Sequence, residues 1–436
     1  MQVKHRHIIY VQGYDPRGLA QYYRMFRTEL RKFGRLYDLT TTVGRPKKGP
    51  ADSEIASWQI ETAGEEWQTR TTYDFLRWED LIKRDLAWPI WKTLAYAIAI
   101  YWRLVFSGTM GRFWSAHWRF ATFISYPHVL LLNEAIWTGA IGWGVGWCLG
   151  ALGMPAPLAI TGGVITFIAL LATLLRASEN NTYLLYLMSD TIFTWQFAHR
   201  QRPDWDARID RFAQHLVDVS RSSDAEEIVL VGHSSGSFLG VEILARALKL
   251  DPDLATRGAR VVFLTLGGNM PIVGFHKEAV EFREHLQQLA TEPSIDWIDC
   301  QSRKDVMNFF PFDPIRGHGI DLPDGTQKRN PVIVPVRFRE VIKPEAYDRF
   351  RWQFFRVHFQ FVMANQTPHA YDFFMIVCGP ITLRNRFSDP KSALALMTGD
   401  AATRKNAWAK LVDGAEPADG EIRMSENAEQ ATRRSG

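Results

Sequence analysis

Short apolar runs alternate with amphipathic stretches at both ends of this chain. Strands are predicted where β-branched and aromatic residues cluster or alternate with polar ones, and helices where apolar residues recur every three or four positions. The predicted strands cover 7–11, 57–62, 68–76, 228–231, 261–266, 295–300 and 332–338, and the predicted helices cover 19–33, 206–219, 238–248 and 277–290. This alternation predicts an α/β protein with a doubly wound, mostly parallel sheet.

Residues 88–190 break the alternation. The stretch 88–106 is aromatic and apolar with only Lys92 and Arg103 as charges, a pattern typical of a helix lying at a membrane surface. Two apolar segments follow, 129–152 and 157–175, and each is near the ~20 residues that span a bilayer. No charge occurs between Glu134 and Arg176. The pattern predicts an inserted transmembrane hairpin; the alternative is a hydrophobic cap of a soluble protein.

Glycines recur every fourth position in the first apolar segment, at Gly142, Gly146 and Gly150. They share one helix face, so another helix is able to approach the backbone closely. That helix is either the second segment, which carries Ala159, Gly162 and Gly163, or the same face of a second copy of the chain.

These patterns divide the chain into four parts. Residues 1–87 and 191–397 are interpreted as the two halves of one α/β core, and 88–190 as the membrane insertion. Residues 398–436 are polar and rich in Ala, Glu, Asp and Arg, which predicts a disordered tail.

The charge and the cysteine content argue against several kinds of partner and cofactor. The 436 residues carry 51 basic and 47 acidic side chains, a net charge of +4, so nucleic acid is not an expected partner. The three cysteines, Cys148, Cys300 and Cys378, have neither metal-ligand spacing nor a disulfide pattern, and no metal or cofactor is expected. Basic residues flank the apolar segments, so the core halves are expected on the cytoplasmic side of a multi-pass membrane protein.

The most informative motif is G-x-S-x-G at Gly232–Gly236, directly after a strand and before a helix. Glycines on both sides permit a turn tight enough to present the hydroxyl of Ser234 at its apex. A serine held in this way is a candidate nucleophile once a base takes its proton. The alternative is an ordinary structural turn.

This motif resembles the nucleophile elbow of the α/β-hydrolase superfamily, and its form Gly-His-Ser-Ser-Gly is similar to the lipase and esterase branches. The resemblance implies an oxyanion hole made by the loop after an early strand, here Gly13 and Tyr14, together with the backbone N–H of Ser235. The alternative for Gly13 and Tyr14 is a plain strand-to-helix turn.

The resemblance also implies the chain order Ser, acid, His. Asp305, which follows the strand at 295–300, is the expected acid, with Asp299 and Asp313 as alternatives. His358 is the expected base because His358-Phe359-Gln360-Phe361 is similar to the region around the histidine in lipase-like members. His369 is the alternative base, and His318 follows Asp305 too closely.

Together these features predict a membrane-anchored serine hydrolase that cleaves a lipid or other apolar acyl ester. An amidase, thioesterase or acyltransferase uses the same groups. A non-catalytic membrane interaction protein on the same fold is the alternative from another class, and two spans without intramembrane charge pairs disfavour a transporter.

Overall fold

The chain folds as two units, one of which is inserted into the sequence of the other. The computed structural model describes residues 2–47 and 54–412. One unit, called the sheet unit below, comprises the chain up to Asp80 and from Arg202 onward, and the other, the helical unit, comprises Leu81–Gln201. The helical unit covers more of the sequence at both ends than the predicted insertion of 88–190. The helices that flank the apolar segments pack against those segments.

The sheet unit is built on eight strands in the order β2-β3-β4-β1-β5-β6-β7-β8. Strands β1 and β4–β8 are parallel to one another, whereas β3 pairs antiparallel with both of its neighbours. The strands are β1 His5–Val11, β2 Thr40–Val43, β3 Ile55–Ala63, β4 Gln68–Leu76, β5 Glu227–His233, β6 Arg260–Leu266, β7 Ile295–Gln301 and β8 Val332–Pro335. The predicted α/β class with a mostly parallel sheet is therefore confirmed.

In the described part of the chain, helices lie between β1 and β2, β4 and β5, β5 and β6, and β6 and β7, and also after β8. They are α1 Leu19–Tyr37, α2 Glu79–Leu86, α3 Ile90–Phe106, α4 Thr109–Ala151, α5 Ala156–Thr182, α6 Leu184–Ala198, α7 Pro203–Ser222, α8 Gly236–Leu250, α9 Pro271–Gly274, α10 Val280–Thr291, α11 Phe338–Val341, α12 Pro344–Phe350, α13 Phe354–His358, α14 Phe373–Cys378, α15 Leu383–Ser388, α16 Pro390–Thr398 and α17 Ala401–Val412. Short 3-10 turns lie at Arg316–His318 and Phe359–Val362.

The centre of the sheet is the parallel pair β1 and β5. Their register places Val11 opposite Gly232, so both strands end at the same edge of the sheet. A buried ion pair holds the other end of β1, where Arg6 bonds Glu227 at 2.7 Å and also donates to the carbonyls of Gly379 and Ile381. Since a buried charge needs partners, this cluster fixes the C-terminal segment against the first strand.

The helical unit consists of helices that pack along one another. Helix α4 bends at His117, whose φ of −160° and ψ of 92° are not helical. Beyond the bend, α4 lies so close to α5 that a Cβ on Gly142 would stand 2.7 Å from the Gly163 carbonyl oxygen. Gly146 likewise faces Ala159. The glycine face is thus occupied by α5 of the same chain.

One described helix is long and apolar enough to cross a membrane, namely α5, with 27 residues and a mean hydropathy of 2.3 in its most apolar window. The segment 129–152 belongs to the second half of α4, which is not among the described helices that are apolar enough to cross a membrane by length and composition. The predicted pair of spans therefore reduces to one candidate by composition.

The disordered tail predicted for residues 398–436 begins too early in the sequence, because a helix follows at Ala401–Val412. Residues 401–412 are helical, and Ala407 and Leu411 are buried against Ile381, Ala393 and Leu396. The alanine-rich composition that predicted disorder here supplies a small apolar face instead. Residues 413–436 lie outside the described residues.

Asp74 ties three elements of the sheet unit together. Its Oδ2 accepts hydrogen bonds of 2.8 Å from Nε2 of His7 on β1 and from Nε2 of His215 on α7. Burial alone raises the pKa of the Asp74 carboxyl, but the bonds from His215 and His7 outweigh it and hold the pKa well below its usual range. The ionised carboxylate is therefore the stable form in the fold.

Asp74→Asn is expected to lower the free energy of unfolding by about 3 kcal/mol at pH 7, because a charged acceptor of two hydrogen bonds is replaced by a neutral amide. A lowered folded-state pKa stabilises the fold above the unfolded pKa of about 4, and this contribution disappears as the pH falls toward the folded value. Urea unfolding in detergent at pH 7, 5 and 3.5 measures the difference. Asp224→Asn, an exposed partner of Arg70, is the control with little change; an equal effect of both variants would contradict the assignment.

Candidate active site

The turn between β5 and α8 holds Ser234 in a strained conformation. Its φ is 58°, the left-handed region that side chains other than glycine rarely adopt. A side chain at Gly232 would collide with the Gly236 carbonyl, and one at Gly236 would collide with the carbonyl of Val11. The two glycines are therefore required by close backbone packing, and they permit the sharp turn that carries Ser234.

Gly13 lies against Ser234. A Cβ built on Gly13 would stand 2.8 Å from the Ser234 Cβ and 3.1 Å from its Oγ. Ser235 directly precedes α8, where the first N–H groups of a helix lack helical partners and carry partial positive charge. Of the three expected oxyanion residues, Gly13 thus lies against the hydroxyl, Tyr14 is the next residue in its loop, and Ser235 follows Ser234 at the start of α8.

His358 and Asp305 form a direct pair. The Nδ1 of His358 lies 2.6 Å from Oδ2 of Asp305, and both side chains are almost fully buried. Because a carboxylate accepts, the imidazole proton sits on Nδ1 and leaves Nε2 with a lone pair. Among the described residues, that buried Nε2 has no hydrogen-bond partner. It is available to accept a proton.

The loop that carries Asp305 is braced from within. The other carboxylate oxygen accepts the Met307 N–H at 2.9 Å. Asn308 donates to the carbonyls of Ser302 and Asp305 and accepts the Ser302 N–H. All these groups are buried, so the carboxylate is held in one orientation toward the histidine.

The alternative acids and bases have other partners. Asp299 is bonded by Thr265 and Gln301, and burial raises its pKa to about 6. Asp313 pairs with Lys328 at 2.5 Å. Among the histidines, His369 donates to Glu340 and accepts the Tyr371 N–H, while His318 donates to Pro314. The structure brings none of these four into the pair with Asp305 or His358.

Two further residues, which the sequence analysis did not single out, lie next to the turn that carries Ser234. The His233 ring stacks on the His358 ring with centroids 4.8 Å apart. Asn269, after β6, donates to Ser235 Oγ at 3.4 Å and accepts nothing at its buried Oδ1 among the described residues. The only sequence signal for Asn269 is its place after Gly267-Gly268 at the end of a strand.

Electrostatics keep His233 neutral. Burial lowers the pKa of its imidazole well below the usual value, and the neighbouring His358 lowers it further. The site therefore contains two adjacent imidazoles, of which one is bonded to a carboxylate.

No protein-family model, curated protein or solved structure matches this chain. The mixed eight-stranded sheet, with six parallel strands and the elbow following a central one, is compatible with a hydrolase-like fold. Any function is therefore inferred from the site itself.

Gly13→Ala is expected to displace the Ser234 hydroxyl, since the added methyl group has no space beside it. The rate of covalent labelling by a fluorophosphonate is expected to fall by about 100-fold or more, a size typical of a disturbed nucleophile or oxyanion site. Gly44→Ala is the control, because its Cβ meets only an ordinary contact of 3.5 Å. Unchanged labelling of a folded Gly13→Ala protein would refute the close-approach argument.

Proposed function

We propose that this protein is a membrane-anchored serine hydrolase that cleaves acyl esters of lipids or other apolar molecules. The observation that carries the proposal is the buried pair of His358 and Asp305, 2.6 Å apart, whose histidine stacks on the residue before Ser234. Ser234 itself has a φ of 58° on a glycine-flanked turn. Backbone strain at a turn persists only where the surrounding structure maintains it, and it is concentrated at functional sites.

In the proposed reaction, Ser234 attacks the acyl carbonyl while Nε2 of His358 takes the hydroxyl proton. Asp305 keeps the imidazole proton on Nδ1 and stabilises the imidazolium that forms. The backbone around Gly13 and Tyr14 and the N–H of Ser235 receive the oxyanion. His358 then protonates the leaving alcohol, and water releases the acyl group from Ser234 by the same steps in reverse order.

The side chains of Ser234, His358 and Asp305 are all buried in the structure. Ser234 Oγ and His358 Nε2 are not hydrogen-bonded to each other here, and such bonds often form only when substrate is bound. Because entry of a charged group into a buried site costs free energy, this burial favours apolar substrates over charged, water-soluble ones.

The proposed anchor is the α4–α5 hairpin. Helix α5 has 27 residues, about 40 Å at 1.5 Å per residue, which exceeds the ~30 Å hydrocarbon core. Only 17% of its most apolar window is buried, so it differs from the core helix of a soluble protein. The facing part of α4 exposes large side chains as well, namely Ile136, Trp137, Ile141, Trp143 and Trp147. Aromatic and apolar exposure on this scale supports lipid contact.

Ser234→Ala is expected to abolish fluorophosphonate labelling and to lower ester hydrolysis at least about 10³-fold, since the nucleophile is removed. His358→Ala and Asp305→Asn are expected to lower it strongly as well. Purified full-length protein in detergent, assayed with medium-chain and long-chain p-nitrophenyl esters, measures these rates.

Matched controls come from the residues that the structure places elsewhere. His369→Ala and Asp299→Asn are expected to keep the activity within about threefold, because neither side chain contacts His358. Loss of activity in His369→Ala with full activity in His358→Ala would overturn the assignment of the base. Anilide and thioester substrates with the same acyl chain decide between ester, amide and thioester cleavage. Absence of labelling in folded wild-type protein would overturn the proposal that the protein is a serine hydrolase.

The hairpin is tested by the accessibility of its turn. In a Cys148→Ser background, Met154→Cys is expected to react with a membrane-impermeant maleimide in intact cells, and Ser388→Cys on the sheet unit only after permeabilisation. Both positions are exposed in the structure. Alkaline carbonate is expected to leave the protein in the membrane fraction. Extraction without detergent, or equal accessibility of the two cysteines, would contradict a hairpin that returns the chain to its starting side.

A further inference from the structure

The base and the residue before the nucleophile form a stack of two imidazoles. The rings of His233 and His358 lie 4.8 Å apart at an angle of 27°. The Nε2 of His233 also lies 3.4 Å from the backbone carbonyl of His358, to which it donates. One side chain thus contacts the base on its ring face and holds its backbone.

The stack continues outward through the residue after the base. The Phe359 ring packs edge-on against His233 with centroids 5.4 Å apart. The guanidinium of Arg17 lies 4.4 Å from the Phe359 ring centroid, and Asp15 orients Arg17 through bonds of 2.6 to 3.0 Å. Arg17 belongs to the same loop as Gly13 and Tyr14. The stack therefore connects the candidate oxyanion loop with the candidate base.

We propose that His233 is a positioning residue that holds the His358 ring so that its Nε2 is kept toward Ser234. This inference rests on the proposed serine hydrolase function. Asp305 fixes only the Nδ1 side of the ring. Rotation about that bond would change the direction in which Nε2 points. A flat side chain against the ring face blocks this rotation.

The chemistry of an imidazole suits this place. His233 stays neutral through burial, so it does not oppose the positive charge that His358 acquires when it takes the serine proton. An aromatic face next to a developing cation is favourable. An aliphatic side chain would fill the space without holding the ring or stabilising the charge.

The proposal is tested with two variants: His233→Leu removes the flat ring, and His233→Phe keeps one. We expect His233→Leu to lower kcat by about tenfold or more with KM within about twofold, since positioning acts on the chemical step and not on binding. We expect His233→Phe to recover kcat to within about threefold of the wild type. A thermal unfolding midpoint measured on each variant separates loss of fold from loss of positioning.

Three outcomes are distinguishable. Wild-type kcat in folded His233→Leu, or an equal loss in His233→Phe, would overturn the positioning role while leaving the hydrolase intact. A wild-type protein that is neither labelled nor active would instead overturn the proposed function. If His233→Leu fails to fold, Phe359→Leu is tested instead, because it removes the ring that packs against His233. We expect this variant to lower kcat in the same way. Full kcat in Phe359→Leu would overturn the positioning role of the stack.

Discussion

The close approach of two loops at the end of the central strand pair decides the geometry of the candidate site. Strands β1 and β5 run side by side, and the chain after each turns at the same edge of the sheet. A Cβ on Gly236 would collide with the Val11 carbonyl, and one on Gly13 would meet Ser234. Hydrogen bonds from Ser234 N–H to Leu266 O at 3.0 Å and from Ser237 N–H to Ser234 O at 2.9 Å hold the strained turn. The rigidity of the sheet therefore offsets the cost of the left-handed serine.

The candidate acid Asp305 and the candidate base His358 come from parts of the chain that are distant in sequence from this turn. Asp305 follows β7 in a loop held by Asn308, and His358 ends a short helix, α13. Gly267, with a φ of 56°, leaves room for the Phe361 ring, which a Cβ there would meet at 2.6 Å, and for the His358 ring at 3.2 Å. Burial around the pair lowers the effective dielectric constant and strengthens its hydrogen bond. The same burial keeps His233 neutral.

The helical unit follows different physical rules from the sheet unit. Glycines of α4 and α5 pack closely against each other, and many of the unit's large apolar side chains are exposed instead of buried. The sheet unit buries comparable side chains in a continuous core that includes Phe26, Trp58 and Phe374. Close glycine packing combined with an apolar exterior is what a lipid environment favours, because helices there gain little from hiding apolar surface. The helical unit thus keeps apolar surface exposed that the sheet unit buries.

Local patterns in the sequence determined seven of the eight described strands, several of the longer helices, the glycine-flanked turn and the glycine face, because these depend on residues a few positions apart. Chain order also led to Asp305 and His358, which the structure pairs at 2.6 Å. Only the tertiary structure placed α6 in the helical unit, gave helix α17 a small core, and engaged Asp299 with Thr265 and Gln301. It alone stacked His233 on His358, which lies 125 positions away. Such contacts depend on how loops from separate strands converge, and no spacing along the chain encodes that convergence.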